Sequence, residues 1–100
     1  MSHRTLTRIA FAALASIAVA GAAAAQTIKI GAIFGITGPA AYLGAPEDKT
    51  ARMLVDNINK AGGVLGRKIE LIVKDSGASS EKAISFAKQL VEENEVVAII

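Results

Sequence analysis

The chain's apolar positions fall into three short, nearly unbroken runs separated by two stretches of longer period. Thr27–Phe34 (TIKIGAIF) is dense in Ile and carries one charge, Lys29. Such a run predicts a strand buried on both faces. Lys68–Asp75 (KIELIVKD) predicts a second strand. There Ile69, Leu71 and Val73 alternate with Glu70, Ile72 and Lys74, so one face is expected to be less buried. Val96–Ile100 (VVAII) is wholly apolar and predicts a third strand.

Between the runs the period changes from two to 3.6. Ala51, Leu54, Val55 and Ile58 recur at i, i+3, i+4 and i+7, the apolar stripe of an amphipathic helix. Its start is expected near Pro46 or Glu47. Proline suits a first helical position, and Glu47 and Asp48 suit the positive end of the helix dipole. Gly62 and Gly63 supply a left-handed cap at its end. A second helix is expected from about Glu81 to Asn94, with Ala83, Ile84, Ala87, Leu90 and Val91 as its stripe and Phe86 at the margin. The serines of Ser76–Ser80 can cap it. The order is β–α–β–α–β. Helical crossovers between apolar strands imply a parallel sheet, right-handed connections and strand order 2-1-3. The fold class is therefore α/β, the βαβαβ start of a doubly wound parallel sheet.

The first 25 residues follow a different pattern. Met1–Arg8 is polar with two positive charges, Ile9–Ala20 is a 12-residue apolar run, and Gly21 breaks it before four alanines. A positive segment, a short apolar segment and small residues fitting A-x-A at Ala23 and Ala25 describe a secretory signal peptide, with cleavage expected before Gln26. The mature segment would then be residues 26–100, outside the cytoplasm.

Composition sharpens this division. The net charge is +2, but residues 26–100 hold nine basic and nine acidic residues. The basic balance belongs to the leader, so a nucleic-acid partner is not expected. The chain contains no Cys, and its one His, His3, lies in the leader. That removes disulfides, thiol nucleophiles, Ser–His triads and the usual zinc and copper sites from residues 26–100. Neither a metal nor a cofactor is expected.

In an open parallel sheet, ligands bind at the carboxyl ends of the strands, where strand order reverses. The loop after the first strand, Gly35–Gly44 (GITGPAAYLG), has the spacing Gly31-x3-Gly35-x2-Gly38. That matches neither the dinucleotide fingerprint nor a P-loop. Its glycines permit close backbone approach, and Tyr42 and Leu43 offer side chains to a ligand. Tyr42 has an alternative role as a surface or hinge aromatic. Asp75 ends the second strand, where it can contact a ligand, a metal or the next helix, or serve as a turn residue before Ser76 and Gly77.

Four stretches carry a family resemblance. They are Ile28–Gly31 followed by Thr37, Gly38, Pro39 and Ala40; the helix Ala51–Lys60; the run Ala61–Leu71 (AGGVLGRKIEL); and Asp75 and Ser76 with the helix and strand after them. In this order, behind a signal peptide, they resemble the start of periplasmic substrate-binding proteins of the branched-chain amino acid (Leu/Ile/Val) class of ABC transporters. The resemblance implies a type I periplasmic binding protein-like fold of two doubly wound lobes with a ligand in the cleft. It implies a receptor that catalyses nothing and delivers an amino acid, amide or small carboxylate to an ABC permease in the inner membrane. It also implies a periplasmic location, and it places Tyr42, Leu43 and Gly44 on the cleft wall as ligand-binding positions. Members that bind aliphatic amino acids often carry an aromatic at the position of Leu43. In this chain the aromatic stands one residue earlier, at Tyr42.

The open edge of the final apolar run adds the expectation that the chain is the N-terminal part of a larger protein, with residues 26–100 opening its first lobe. Two other functions fit the same pattern: the start of a secreted Rossmann-like enzyme, and the sensor domain of a receptor with this fold.

Overall fold

The structure, a computed structural model, describes residues 26–100. The expected signal peptide, residues 1–25, lies outside the described residues. Five elements follow one another: β1 (Ile28–Phe34), α1 (Ala41–Lys60), β2 (Ile69–Asp75), α2 (Ser80–Glu92) and β3 (Ala98–Ile99). The strands form one sheet in the order β2-β1-β3, and both pairings are parallel. The expected βαβαβ order and the 2-1-3 sheet are both present.

β1 sits in the middle, with β2 on one side and β3 on the other. It pairs residue for residue with β2, from Ile28 with Ile69 to Phe34 with Asp75. The regular part of β3 is shorter than the VVAII run. Hydrogen bonds from Val97 N–H to Lys29 O and from Ile100 N–H to Gly31 O nevertheless extend its pairing along β1.

The helices lie on opposite faces. Leu71 borders α1, while Gly31 lies beneath Leu90 of α2. Leu90 and Ala32 are fully buried and Phe34 nearly so. A Cβ at Gly31 would stand 2.8 Å from a Leu90 methyl group, so the bare backbone at Gly31 is what lets Leu90 reach the sheet. Beyond this centre the stripes are only half covered. Leu54 remains 51% exposed, Ile84 61% and Val91 56%.

The end of α1 is capped as expected. Gly62 N–H donates to Asn59 O and Gly63 N–H to Ile58 O, with both glycines at positive φ, the pairing of a Schellman cap. At the other end, Ser79 caps α2 by accepting from Lys82 N–H.

The start of α1 differs from expectation. The helix begins at Ala41, five residues before Pro46, so Gly35–Gly44 is not all loop. Gly38, at φ 81°, turns the chain; Ala41 N–H donates to Gly38 O, and Leu43 and Gly44 N–H both donate to Ala40 O. Pro46 lies inside the helix, where its missing N–H leaves the Tyr42 carbonyl without an i+4 donor. Glu47 and Asp48 consequently lie beyond the first turn, which holds no acid. The proline pointed to a start one turn too late because it tolerates the first helical position better than an interior one.

Candidate functional site

The loops after β1 and β2 meet at the carboxyl ends of these strands, and one carboxylate joins them. Asp75 Oδ1 accepts from Ile36 N–H at 2.9 Å, Thr37 N–H at 3.2 Å and Gly77 N–H at 2.9 Å. Its Oδ2 accepts from the Thr37 hydroxyl at 2.7 Å. These four donors hold the Asp75 carboxyl down at about 2, below its ordinary 3.8. The Thr37 hydroxyl is the largest cause, followed by Gly77 N–H; partial desolvation opposes them, and the other two N–H groups add to the lowering. Asp75 is thus the turn residue that its Ser-Gly context suggests, through Gly77, and also a clasp on the neighbouring loop.

Ser76, which is buried, completes the clasp. Its N–H donates to Phe34 O at 2.9 Å, and its Oγ accepts from Ala78 N–H at 3.3 Å. Gly77 and Ala78 both take positive φ, and Ser79 N–H closes the turn on Ser76 O. The backbones then pack without intervening side chains. A Cβ on Gly38 would lie 2.9 Å from Gly77 O. Gly38, singled out in the sequence, therefore serves close packing of backbone on backbone.

The three expected cleft positions all fall in the first turn of α1, but they do not share one role. Tyr42 is 75% exposed and Leu43 54% exposed, and both side chains are available to a ligand. Gly44 is buried, and a Cβ there would stand 2.1 Å from Gly35 O. Gly44 is where the helix start rests on the end of β1, and this fixes the position from which its two neighbours project. An apolar hollow beside the same end of the sheet is lined by Phe34, Pro46, Ala51, Leu54 and Ile100, without Tyr42 or Leu43. Sequence inspection gave Thr37 no role of its own. Its partner lies 38 residues away, and nothing in the local spacing signals that pairing.

The geometry has counterparts among known proteins. A family model described as periplasmic binding protein matches residues 27–100. The chain is similar to "Leu/Ile/Val-binding protein homolog 3" of Brucella melitensis, at 41% identity over 91 residues, covering 91% of this chain and 24% of that protein. It is also similar to the "Leucine-, isoleucine-, valine-, threonine-, and alanine-binding protein" of Pseudomonas aeruginosa, at 37% identity over 83 residues, covering 79% of this chain and 22% of that one. Among solved structures it resembles the branched-chain amino acid transporter substrate-binding protein LivJ of Streptococcus pneumoniae in complex with isoleucine. That match has a TM-score of 0.71 and 41% identity, and it covers 73% of this chain and 21% of that one. A fatty acid ABC transporter substrate-binding protein from Thermomonospora curvata aligns with a TM-score of 0.68 and 36% identity, covering 74% of this chain and 18% of that one. The chain spans about a quarter of the length of the curated relatives it matches.

Proposed function

The chain belongs to the periplasmic binding protein family, and we propose that it forms part of the first lobe of an extracytoplasmic solute-binding receptor. In this proposal residues 1–25 are a cleaved export signal, residues 26–100 are the N-terminal part of the lobe, and the receptor works in the periplasm. It captures an amino acid or a related amide or small carboxylate and delivers it to an ABC permease in the inner membrane. No catalytic step is assigned to it. The observation that carries the proposal is the family match across residues 27–100.

The exposures and hydrogen bonds at the carboxyl ends of the strands support a reading of how the first lobe contributes. Tyr42 and Leu43 present an uncharged, exposed wall beside the clasped loops, suited to the apolar part of a ligand. The Asp75 carboxylate is occupied by four internal donors, so it serves the loops and not a ligand ammonium. Closure of a second lobe over this wall would trap the ligand.

The test is isothermal titration of the full-length receptor that contains this chain with a panel of branched-chain and aromatic amino acids, amides, small carboxylates and a medium-chain fatty acid. The proposal expects saturable heat with at least one amino acid or close relative. Saturable binding of the fatty acid alone would move the substrate class toward that of the Thermomonospora relative. No binding by any member would overturn the receptor assignment.

A further inference from the structure

The amino end of the sheet is tied down by a side chain before the strand ladder begins. Arg67, which closes the hairpin turn against Val64, donates from Nε to Gln26 O at 2.9 Å and from Nη2 to Thr27 O at 3.4 Å. The Thr27 hydroxyl meets Glu70 Oε2 at 3.4 Å. The next residue enters the β1–β2 pairing, where Ile28 N–H donates to Lys68 O at 2.8 Å. All of these contacts lie at or after the Gln26 carbonyl. Among the described residues, no hydrogen bond reaches the Gln26 backbone nitrogen or its side-chain amide. The chain is therefore held up to one carbonyl, and the sequence sets the expected export cut directly before the residue that bears it.

We propose that Gln26, once it becomes the first residue of the exported chain, closes on itself to pyroglutamate. The proposal rests on the reading that residues 1–25 are a cleaved export signal. The step needs only Gln26's own atoms. Its α-nitrogen, as the neutral amine, attacks the side-chain Cδ. The new N–Cδ bond forms, the Cδ–Nε2 bond breaks, and Nε2 leaves as ammonia with a proton taken from the amine. Nothing is oxidised or reduced, and no co-reactant enters. Two features favour this site. First, the ring consumes only the α-nitrogen and the side chain, the parts of Gln26 that no described contact holds. Gln26 O and Thr27 O stay in place as the acceptors of Arg67. Second, an ammonium on Gln26 would stand beside a guanidinium already bonded to the same residue's carbonyl, and the neutral lactam removes that charge. Of the other charged groups near this end, Lys29 adds to the repulsion, while Glu95 beside it and Glu70 on Thr27 offset part of it. β1 runs seven residues from here to Phe34. That length, about 20 Å, separates the ring from the proposed ligand wall at Tyr42 and Leu43.

The test is intact mass and N-terminal sequencing of the full-length receptor that contains this chain, expressed with its own residues 1–25 and recovered from the periplasm. The expected product starts at Gln26 and is lighter than that sequence by about 17 Da, the mass of the ammonia lost. It should resist stepwise degradation until a pyroglutamyl peptidase removes the first residue and opens the chain at Thr27. Gln26→Asn, whose shorter side chain cannot close a five-membered lactam, should keep its full mass and degrade from its first residue. A full-mass parent that starts at Gln26 would overturn the ring and leave the export cut standing. A parent that keeps residues 1–25, or starts elsewhere, would overturn the export cut and the ring with it. A mass loss that persists in Gln26→Asn would place the lost ammonia at another residue and overturn the proposal.

Discussion

The Thr37 hydroxyl donates to Asp75 Oδ2 at 2.7 Å, joining the loop after β1 to the end of β2 across 38 residues of chain. The same carboxylate holds Ile36, Thr37 and Gly77 through their N–H groups. Replacing it with a methyl group leaves three N–H donors and a hydroxyl to find water or new partners. Asp75→Ala should therefore lower the thermal midpoint and speed amide exchange at Ile36, Thr37 and Gly77, while the β1–β2 ladder stays protected. Thr37→Val, which removes only the hydroxyl, should give a smaller fall. Unchanged exchange at all three amides in Asp75→Ala would contradict the clasp.

The clasp gives stability a definite dependence on acid. The Asp75 carboxyl titrates at about 2 in the folded protein, against an ordinary 3.8. Its folded pKa is the lower one, so between these values the unfolded chain binds more protons and stability rises with pH. The contribution is fully present above about pH 5 and fades as pH falls from about 4 toward 2. Chemical denaturation of the parent and of Asp75→Ala, compared across that range, should show a stability gap that closes on acidification. A gap independent of pH would remove the ionised carboxylate from the explanation.

Gly44 and Gly35 stand in contact but should tolerate a methyl group differently. A Cβ on Gly44 would overlap the Gly35 carbonyl at 2.1 Å, and neither backbone can yield without moving the start of α1. On Gly35 the nearest atom to a new Cβ is 3.4 Å away. Gly44→Ala is expected to destabilise by about 1–3 kcal/mol or more, the range for overpacking, and Gly35→Ala by clearly less. Urea denaturation of the two variants measures the difference.

Leu65 sits in an unfavourable conformation with no visible contact to justify it. Val64 and Arg67 exchange two backbone hydrogen bonds across Leu65 and Gly66, whose φ angles are 51° and 75°. Positive φ at both central residues is the type I′ hairpin turn, which prefers Asn-Gly. The leucine side chain is 94% exposed, so its removal gives up little packing. Leu65→Asn should stabilise the protein by up to about 1 kcal/mol, seen as a higher denaturation midpoint at unchanged slope.

Tyr42 and Leu43 should separate binding from stability. Both side chains project into solvent from the first turn of α1. Leu43→Ala and Tyr42→Ala are expected to leave the melting temperature within a few degrees of the parent. If they form the ligand wall, at least one should weaken binding of the best ligand about tenfold, the order expected from losing one large apolar contact. Full affinity in both variants would move the ligand away from this turn.

Much of this architecture was legible along the chain. The three strands follow from unbroken apolar runs, and the two crossovers from stripes of period 3.6. The Schellman end of α1 follows from the Gly62–Gly63 pair. The proposed ligand wall was legible only in part. Tyr42 and Leu43 were singled out, but their place on a helix was not, because Pro46 masks the turn that precedes it. Gly44 stood beside them in sequence, and only the approach of Gly35 shows that it packs while its neighbours project.

What the sequence determined by itself is therefore local and periodic: element type, parallel connection and the family pattern, all set by burial and by backbone preferences within a few residues. Tertiary structure decided the rest. The clasp joins Asp75 to Thr37, and the Asn59 side chain of α1 exchanges two hydrogen bonds with the Ile69 backbone at the start of β2. They bring together hydrogen-bonding groups 38 and 10 residues apart in the chain at distances below 3 Å. No periodicity encodes such meetings, because they exist only once the strands have paired in register and the helices have settled on the sheet.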